Sequence, residues 1–338
     1  MPLAVFDEAA RRPSSRTRIA ASQIAAVIAP CSARKSIVPD QSARAVSLPQ
    51  ASQPALETAW RLCLSELPTR IAASDFYRGR GFGAAGRAAA QAGADLFVAS
   101  AGLGLVRADR DIPAYGLTVT GVAGSDAVRG RIVGGFDPAS WWRALQKGPY
   151  ATALDEVFQS EGLVLVALSH PYARLLADDL AALDETCLAR LRIVGMGLGP
   201  HLPERVRTAA LLPYDDRLDH LVPGVRSDFC QRALSHFVGL LTDDRARGSG
   251  TTDIQGHRAL VDAALGPVRT GTPSQRTRAT DEVIVQRISA HLSTGARARS
   301  ASHLLRAVRD MDGIACEASR FARLYRLVTR TGPKGAAQ

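Results

Sequence analysis

QIAAVIA, residues 23–29, is the stretch whose reading decides the fold. It is short, apolar and β-branched, and Pro30 ends it, which suits a strand buried on both faces. Outward from it, three similar runs follow: DLFVASA at 95–101, GLVLVAL at 162–168 and LRIVGM at 191–196. A weaker fifth lies at 209–212. Helical spacing fills the gaps at 54–67, 83–93, 138–147 and 173–183, and a good amphipathic helix spans 229–241. Gly93 is placed to end the second helix, and Asp137-Pro138 to open the third as N-cap and first-turn proline. Strands alternating with helices predict an α/β protein, a three-layer sandwich with a mainly parallel sheet. In such sheets ligands sit in the loops beyond the carboxyl ends of the strands. The residues just after each strand therefore carry the functional argument.

The chain has 338 residues, enough for about two domains, and 46% of them are hydrophobic, enough for an ordinary core. Its formal net charge is +10. From residue 245 to the end there are 16 basic and 7 acidic residues, so +9 of that excess lies in the last quarter. A near-neutral body with a basic tail is the asymmetry of a polyanion-binding module, although a solvated charged face has the same composition. Only Lys35, Lys147 and Lys334 are lysines; the other basic residues are arginines. Such a bias, with so much alanine, reflects a GC-rich genome and weakens the arginine signal.

The sequence predicts a disordered basic leader over 1–22, a pocket-bearing α/β domain over 23–242, a polar Gly-rich linker over 243–255 and a helical domain over 256–331. Helical patterns at 255–264, 281–291, 300–308 and 317–328 fill the last, with a turn at Gly313. Short helices with a basic final one fit a helix-turn-helix or winged-helix-like module that binds nucleic acid. Arg320, Arg323, Arg326 and Arg330 recur at helical spacing, and Phe321, Leu324, Tyr325 and Val328 back them, so these arginines are the expected DNA contacts. Five widely spaced cysteines without a Cys/His cluster point to no zinc site and no disulfide framework. No metal or cofactor is expected. No run of 18 apolar residues occurs, so the chain is expected to be cytoplasmic with no membrane partner.

After the first strand come Cys31, Ser32, Arg34 and Lys35, a hydroxyl, a thiol and two cations able to meet an anion. The glycines and GK[ST] ending of a P-loop are missing. Cys31 fits a reactive thiol as well as a packed one. The segment at 75–83 places Tyr77, Arg78, Gly79 and Phe82 in a stretch where glycines permit close approach and aromatics can stack on bases; a structural turn would look the same. After the second strand, Ser100, Gly102 and Gly104 leave room for a ligand, Asp111 and less strongly Asp109 could act as an acid, and Tyr115 could wall the pocket. A capping role fits the aspartates too. After the third strand, His170 stands before Pro171, placed to donate to a leaving group or simply to pack.

These loops resemble a known domain. A strand, Pro-Cys-Ser-x-x-Lys, a Tyr-x-Gly segment, Ser-Ala-Gly-x-Gly-Leu-Val, then an acid, Ile-Pro and Tyr look like the domain of archaeosine synthases and their bacterial relatives, over about residues 24–168. The resemblance implies a uracil-DNA-glycosylase-like fold. It places this chain near bacterial DNA-binding proteins and antiviral DNA glycosylases that remove modified bases from phage DNA. On that resemblance Asp111, or Asp109, would position water and stabilise the sugar cation, and His170 would donate to the departing base. The Gly-Gln-Asp-Pro-Tyr motif of uracil-DNA glycosylases is replaced here by Cys31-Ser32.

The leading expectation is an N-glycosylase that flips a modified base out of double-stranded DNA, in anti-phage defence. One alternative is a deazaguanine-type base-modification enzyme using Cys31 as nucleophile. The other is a non-catalytic DNA-binding regulator with a nucleotide-sensing pocket. DNA against RNA, the identity of the base and the oligomeric state are left open by the sequence.

Overall fold

Successive residues of the first strand point to opposite sides of a sheet that is covered on both. In the computed structural model, which describes residues 24–121, 125–242, 253–267, 276–293 and 301–331, the chain divides at 267/268 into two units. The expected leader and residues 243–252 of the expected linker lie outside the described residues.

The first unit is α/β. Its central sheet contains β1 (Ile24–Pro30), β2 (Asp95–Ser100), β3 (Gly104–Arg107), β4 (Leu163–Ala167) and β5 (Leu191–Val194), in the order β3-β2-β1-β4-β5. β1 pairs in parallel with β2 and β4, and β4 with β5; only β3 runs antiparallel, as the return arm of a hairpin from β2. Side-chain alternation explains the apolar runs. Ala26 and Ile28 of β1, Val164 and Val166 of β4 and Ile193 of β5 face one layer, with Leu56, Trp60 and Trp141. Val27 and Ala29, Leu165 and Ala167, and Val194 face the other, with Ala85, Ala89, Leu234 and Phe237.

Helix ends follow their local chemistry. The Arg80–Ala92 helix ends at Gly93, which adopts φ +62° and donates its N–H to Ala89 and Ala90 carbonyls. The Pro138–Leu145 helix opens on Asp137, whose carboxylate accepts from the amides of Ala139 and Ser140. The alanine face of Arg80–Ala92 lets the Phe229–Thr242 helix pack closely against it, burying Ala85, Ala88, Ala89, Ala233 and Phe237 together.

Three expectations change. Residues 209–212 form no full strand: the Glu204–Ala210 helix runs into them, and Leu211 alone bridges to Ile193 of β5. The helix expected over 173–183 is two short helices, His170–Leu175 and Ala177–Ala182. The Ile254–Leu265 helix, expected in the C-terminal domain, belongs to the first unit. Val261 and Leu265 enter its core, Arg192 donates from Nε to His257 Nδ1 at 2.8 Å, and Arg217 bonds Asp262 at 2.9 Å.

The second unit holds the Asp281–Ser293, Ala301–Asp310 and Ala318–Thr331 helices around Ile284, Ile288, Leu304, Val308, Phe321 and Leu324. A two-residue parallel pair joins Thr277–Arg278 to Ile314–Ala315. No helix among the described residues is long and apolar enough to cross a membrane.

Candidate functional site

The strand order steps outward from β1 in both directions, so β1 and β4 flank the point where a parallel sheet opens a crevice. A cleft of about 850 Å³ lies there, lined by the ends of β1, β4 and β5 and by further residues around 78–82, 117–120, 125–126 and 225–231. That volume lies within the roughly 300–1,000 Å³ of small-molecule sites.

The loop after β1 supplies Cys31, Ser32, Arg34 and Lys35. It is held by a short antiparallel pair, Arg34–Lys35 with Tyr77–Arg78, and by the Ser32 hydroxyl, which donates to the carbonyls of Arg34 (2.7 Å) and Arg78. Gly79 sits next to that pair at φ +123°, a backbone conformation that L side chains rarely adopt. It turns the chain into the Arg80–Ala92 helix and brings Arg78, Gly79 and Phe82 onto the cleft. After β4, His170 lines the same cleft, and so does Tyr172, whose hydroxyl lies 3.1 Å from Cys31 Sγ. Burial pushes the Tyr172 phenol well above its ordinary pKa, so it stays protonated beside the thiol.

Seven of the expected site residues thus meet in one cavity: Cys31, Ser32, Lys35, Arg78, Gly79, Phe82 and His170. The others do not line it. Tyr77 and Tyr115 are buried behind its wall, with their hydroxyls 2.7 Å apart and the Ser100 hydroxyl 2.5 Å from that of Tyr115. Burial raises both phenols above the ordinary tyrosine value. Gly102 and Gly104 belong to the β2–β3 hairpin, not to a ligand loop. The Gly102 carbonyl accepts from Trp60 Nε1 at 2.8 Å, and a Cβ there would stand 2.4 Å from the Tyr115 ring. Gly104 takes φ +83° against Gln146.

The expected acids are displaced for the same reason. β3 returns antiparallel, so the chain leaves it at the amino end of β2. Asp109 is exposed there, bonded to Arg107, which also reaches Asp95 at the start of β2. Asp111 is exposed in a small strand, Asp111–Pro113, paired with Thr69–Ala72. Neither lines the cleft, so the structure does not bring these two acids together with the other expected site residues. His170 does line the cleft. Its Nε2 lies 2.8 Å from the Met196 carbonyl, which can only accept, so Nε2 carries the proton and a neutral His170 offers an acceptor at Nδ1. Donation to a leaving group from Nδ1 requires the imidazolium.

The acids that do line the cleft were missed by the sequence reading: Asp126 and Asp228. Asp126 accepts from both Nε and Nη2 of Arg44 at 2.9–3.2 Å. Asp228 bridges Arg80 (2.7 Å) and the buried Arg232 (3.0 Å). Arg232 also reaches Asp219 at 2.7 Å, tying down the loop that forms the far wall. Nothing in a polar stretch such as 118–127 marks its aspartate as a cleft residue, since no sheet strand precedes it.

Both cleft carboxylates are thus already paired with arginines. Arg34, Lys35, Arg78 and Arg226 line the cleft and form no ion pair with a described residue, so its unbalanced charge is positive. Lys35 Nζ lies 4.8 Å from the Tyr115 ring centroid and 5.8 Å from that of Phe76. Burial holds its pKa below the ordinary lysine value, against the opposing pull of Cys31 and Asp126. The arrangement suits a ligand with an anionic part for the arginines and a planar apolar part for Phe82 and Tyr172.

In the second unit, the residues from 268 onward include 13 basic and 5 acidic ones. Two of the expected DNA contacts are engaged inside the unit: Arg320 and Arg323 share Asp281, at 2.6 and 2.8 Å. Arg326 is exposed, donating from Nε to the Ala322 carbonyl, and the Arg330 side chain lies outside the described residues. The chain matches no model of a known protein family, no curated protein and no solved structure.

Proposed function

We propose that the cleft receives one nucleotide of a nucleic acid strand, DNA foremost, and that the chain hydrolyses the N-glycosidic bond of a modified base held there. The observation that carries the reading is the cleft itself: about 850 Å³ at the carboxyl edge of the sheet, lined by three arginines, Arg34, Arg78 and Arg226, that form no ion pair with a described residue. Cations of this kind meet phosphates, and an extruded base needs a partly apolar hollow. The resemblance of the Cys-Ser-x-x-Lys and Ser-Ala-Gly-x-Gly-Leu segments to archaeosine-synthase-type domains, with their uracil-DNA-glycosylase-like fold and antiviral relatives, supports the same reading. Asp126, held by Arg44, takes the place expected of Asp111 beside the positive charge that develops on the sugar. The basic second unit, read as a helix-turn-helix-like module, supplies further phosphate contacts.

The test is incubation of the full chain with plain and modified duplex DNA, followed by mass spectrometry for released bases and abasic sites. Release from modified DNA that disappears in Asp126→Ala supports the reading; intact DNA of every kind rejects it.

A second reading rests on Cys31 Sγ, which faces the cleft within 3.1 Å of a protonated phenol. A thiolate there would attack C1′ and hold the sugar covalently while one base replaces another. Cys31→Ser abolishes that exchange and spares hydrolysis.

A further inference from the structure

Lysine is rare in this chain, three of 42 basic residues, and arginine stands almost everywhere else that a cation is used. One of the three, Lys35, lines the cleft. Arginine would bind a phosphate there at least as well, through a planar fork that lysine lacks. What lysine alone offers is a nitrogen lone pair, because a guanidinium keeps its proton at any ordinary pH.

The surroundings of Lys35 favour that use. The backbone of the residue is fixed in the short pair of Arg34–Lys35 with Tyr77–Arg78, opposite Tyr77. Its Nζ stands above the Tyr115 and Phe76 rings rather than on a carboxylate. Asp126, the acid that acts on it electrostatically, gives both oxygens to Arg44 instead. Burial favours the neutral amine and outweighs the attraction of its charged neighbours. The hydroxyl chain of Tyr77, Tyr115 and Ser100 keeps the floor beneath it rigid.

We propose that Lys35 is an imine-forming nucleophile, so that the chain cuts the strand at an abasic deoxyribose seated in the cleft. This rests on the reading of the cleft as a nucleotide site. The Nζ lone pair attacks the C1′ aldehyde carbon of the opened sugar. The carbonyl oxygen leaves as water, taking a proton from the amine and one from solvent, and an iminium links Lys35 to C1′. Loss of a C2′ proton to water then drives elimination: the C3′–O bond breaks, and its electron pair leaves with the phosphate. Water hydrolyses the remaining imine and returns the free amine. No electrons are gained or lost, and no other reactant is needed.

The experiment uses the full chain, a duplex with a single abasic site, and sodium borohydride, which reduces an iminium to a stable amine. The expected results are a covalent protein–DNA adduct that maps to Lys35 and, without borohydride, a nick on the 3′ side of the site. Lys35→Arg and Lys35→Ala lose both, and Lys147→Arg keeps both. Duplex binding by Lys35→Arg checks that the variant is folded. No adduct with the wild type, an undiminished adduct with Lys35→Arg, or an adduct on the N-terminal amine overturns the proposal. The substrate already lacks its base, so this result is separate from base release. A chain that releases bases but traps no sugar refutes the lysine role alone, and one that traps sugar but releases no base refutes the glycosidic reading alone.

Discussion

Arg44 holds Asp126 with two nitrogens, Nε at 3.1–3.2 Å from both carboxylate oxygens and Nη2 at 2.9 Å from one. A carboxylate gripped in this way keeps its orientation toward the cleft. Asp126→Asn keeps the shape and removes the charge. The expected outcome is base release slowed on the order of 10²-fold, with the melting temperature little changed. Equal rates for the two proteins, read by released base per unit time, would remove Asp126 from the chemistry.

The far wall of the cleft depends on a buried ion pair. Asp228 and Arg232 are each about nine-tenths buried, with 3.0 Å between them. Replacing Asp228 by Ala strips the buried Arg232 of one partner. The expected cost is roughly 3–5 kcal/mol, reduced to the extent that Asp219 takes up the charge. Chemical denaturation reads it directly, and a loss below about 1 kcal/mol would show that the wall does not depend on the pair.

The sheet was legible in the sequence because β1, β2, β4 and β5 are apolar, β-branched runs with helical patterns between them. The loops after β1 and β4 could be located for the same reason: parallel strands deliver their successors to one edge. The β2–β3 hairpin broke that logic. Ser100, Gly102 and Gly104 look like a ligand loop, yet their small size serves the hairpin turn and the Tyr115 ring packed against it. The chain then returns to the opposite edge, carrying Asp109 and Asp111 away from the cleft. Asp126 and Asp228 were invisible because each reaches the site from an irregular segment, guided by contacts with Arg44 and Arg80 far away in sequence. The pairing of Arg320 with Asp281, 39 residues apart, was hidden likewise.

That hairpin makes its own prediction. Gly102→Ala sets a methyl group 2.4 Å from a buried ring. The backbone or Tyr115 must shift, at a cost of about 1–3 kcal/mol. Thermal melting measures the cost, and an unchanged midpoint would mean that the turn is looser than described.

The Asp281 carboxyl is held below its usual pKa by Arg320 first and Arg323 second. A depressed acid stabilises the folded state above its unfolded pKa, about 3.9, and that contribution fades as pH falls through the lower folded value. The wild type is therefore expected to lose second-unit helix signal between those two values, whereas Asp281→Asn has no such step. The same substitution frees two arginines for phosphate. Tighter DNA binding at low salt and a steeper dependence of affinity on salt are expected, and an unchanged slope would mean that neither arginine meets DNA.

The most direct measurement is where DNA touches the protein. A duplex carrying a photoreactive base analogue, cross-linked to the full chain and mapped by mass spectrometry, reports it residue by residue. The account predicts cross-links in the peptides covering residues 31–35, 78–82 and 226–231, alongside others beyond residue 268. Cross-links confined to the region beyond 268, with those three peptides untouched, would contradict it.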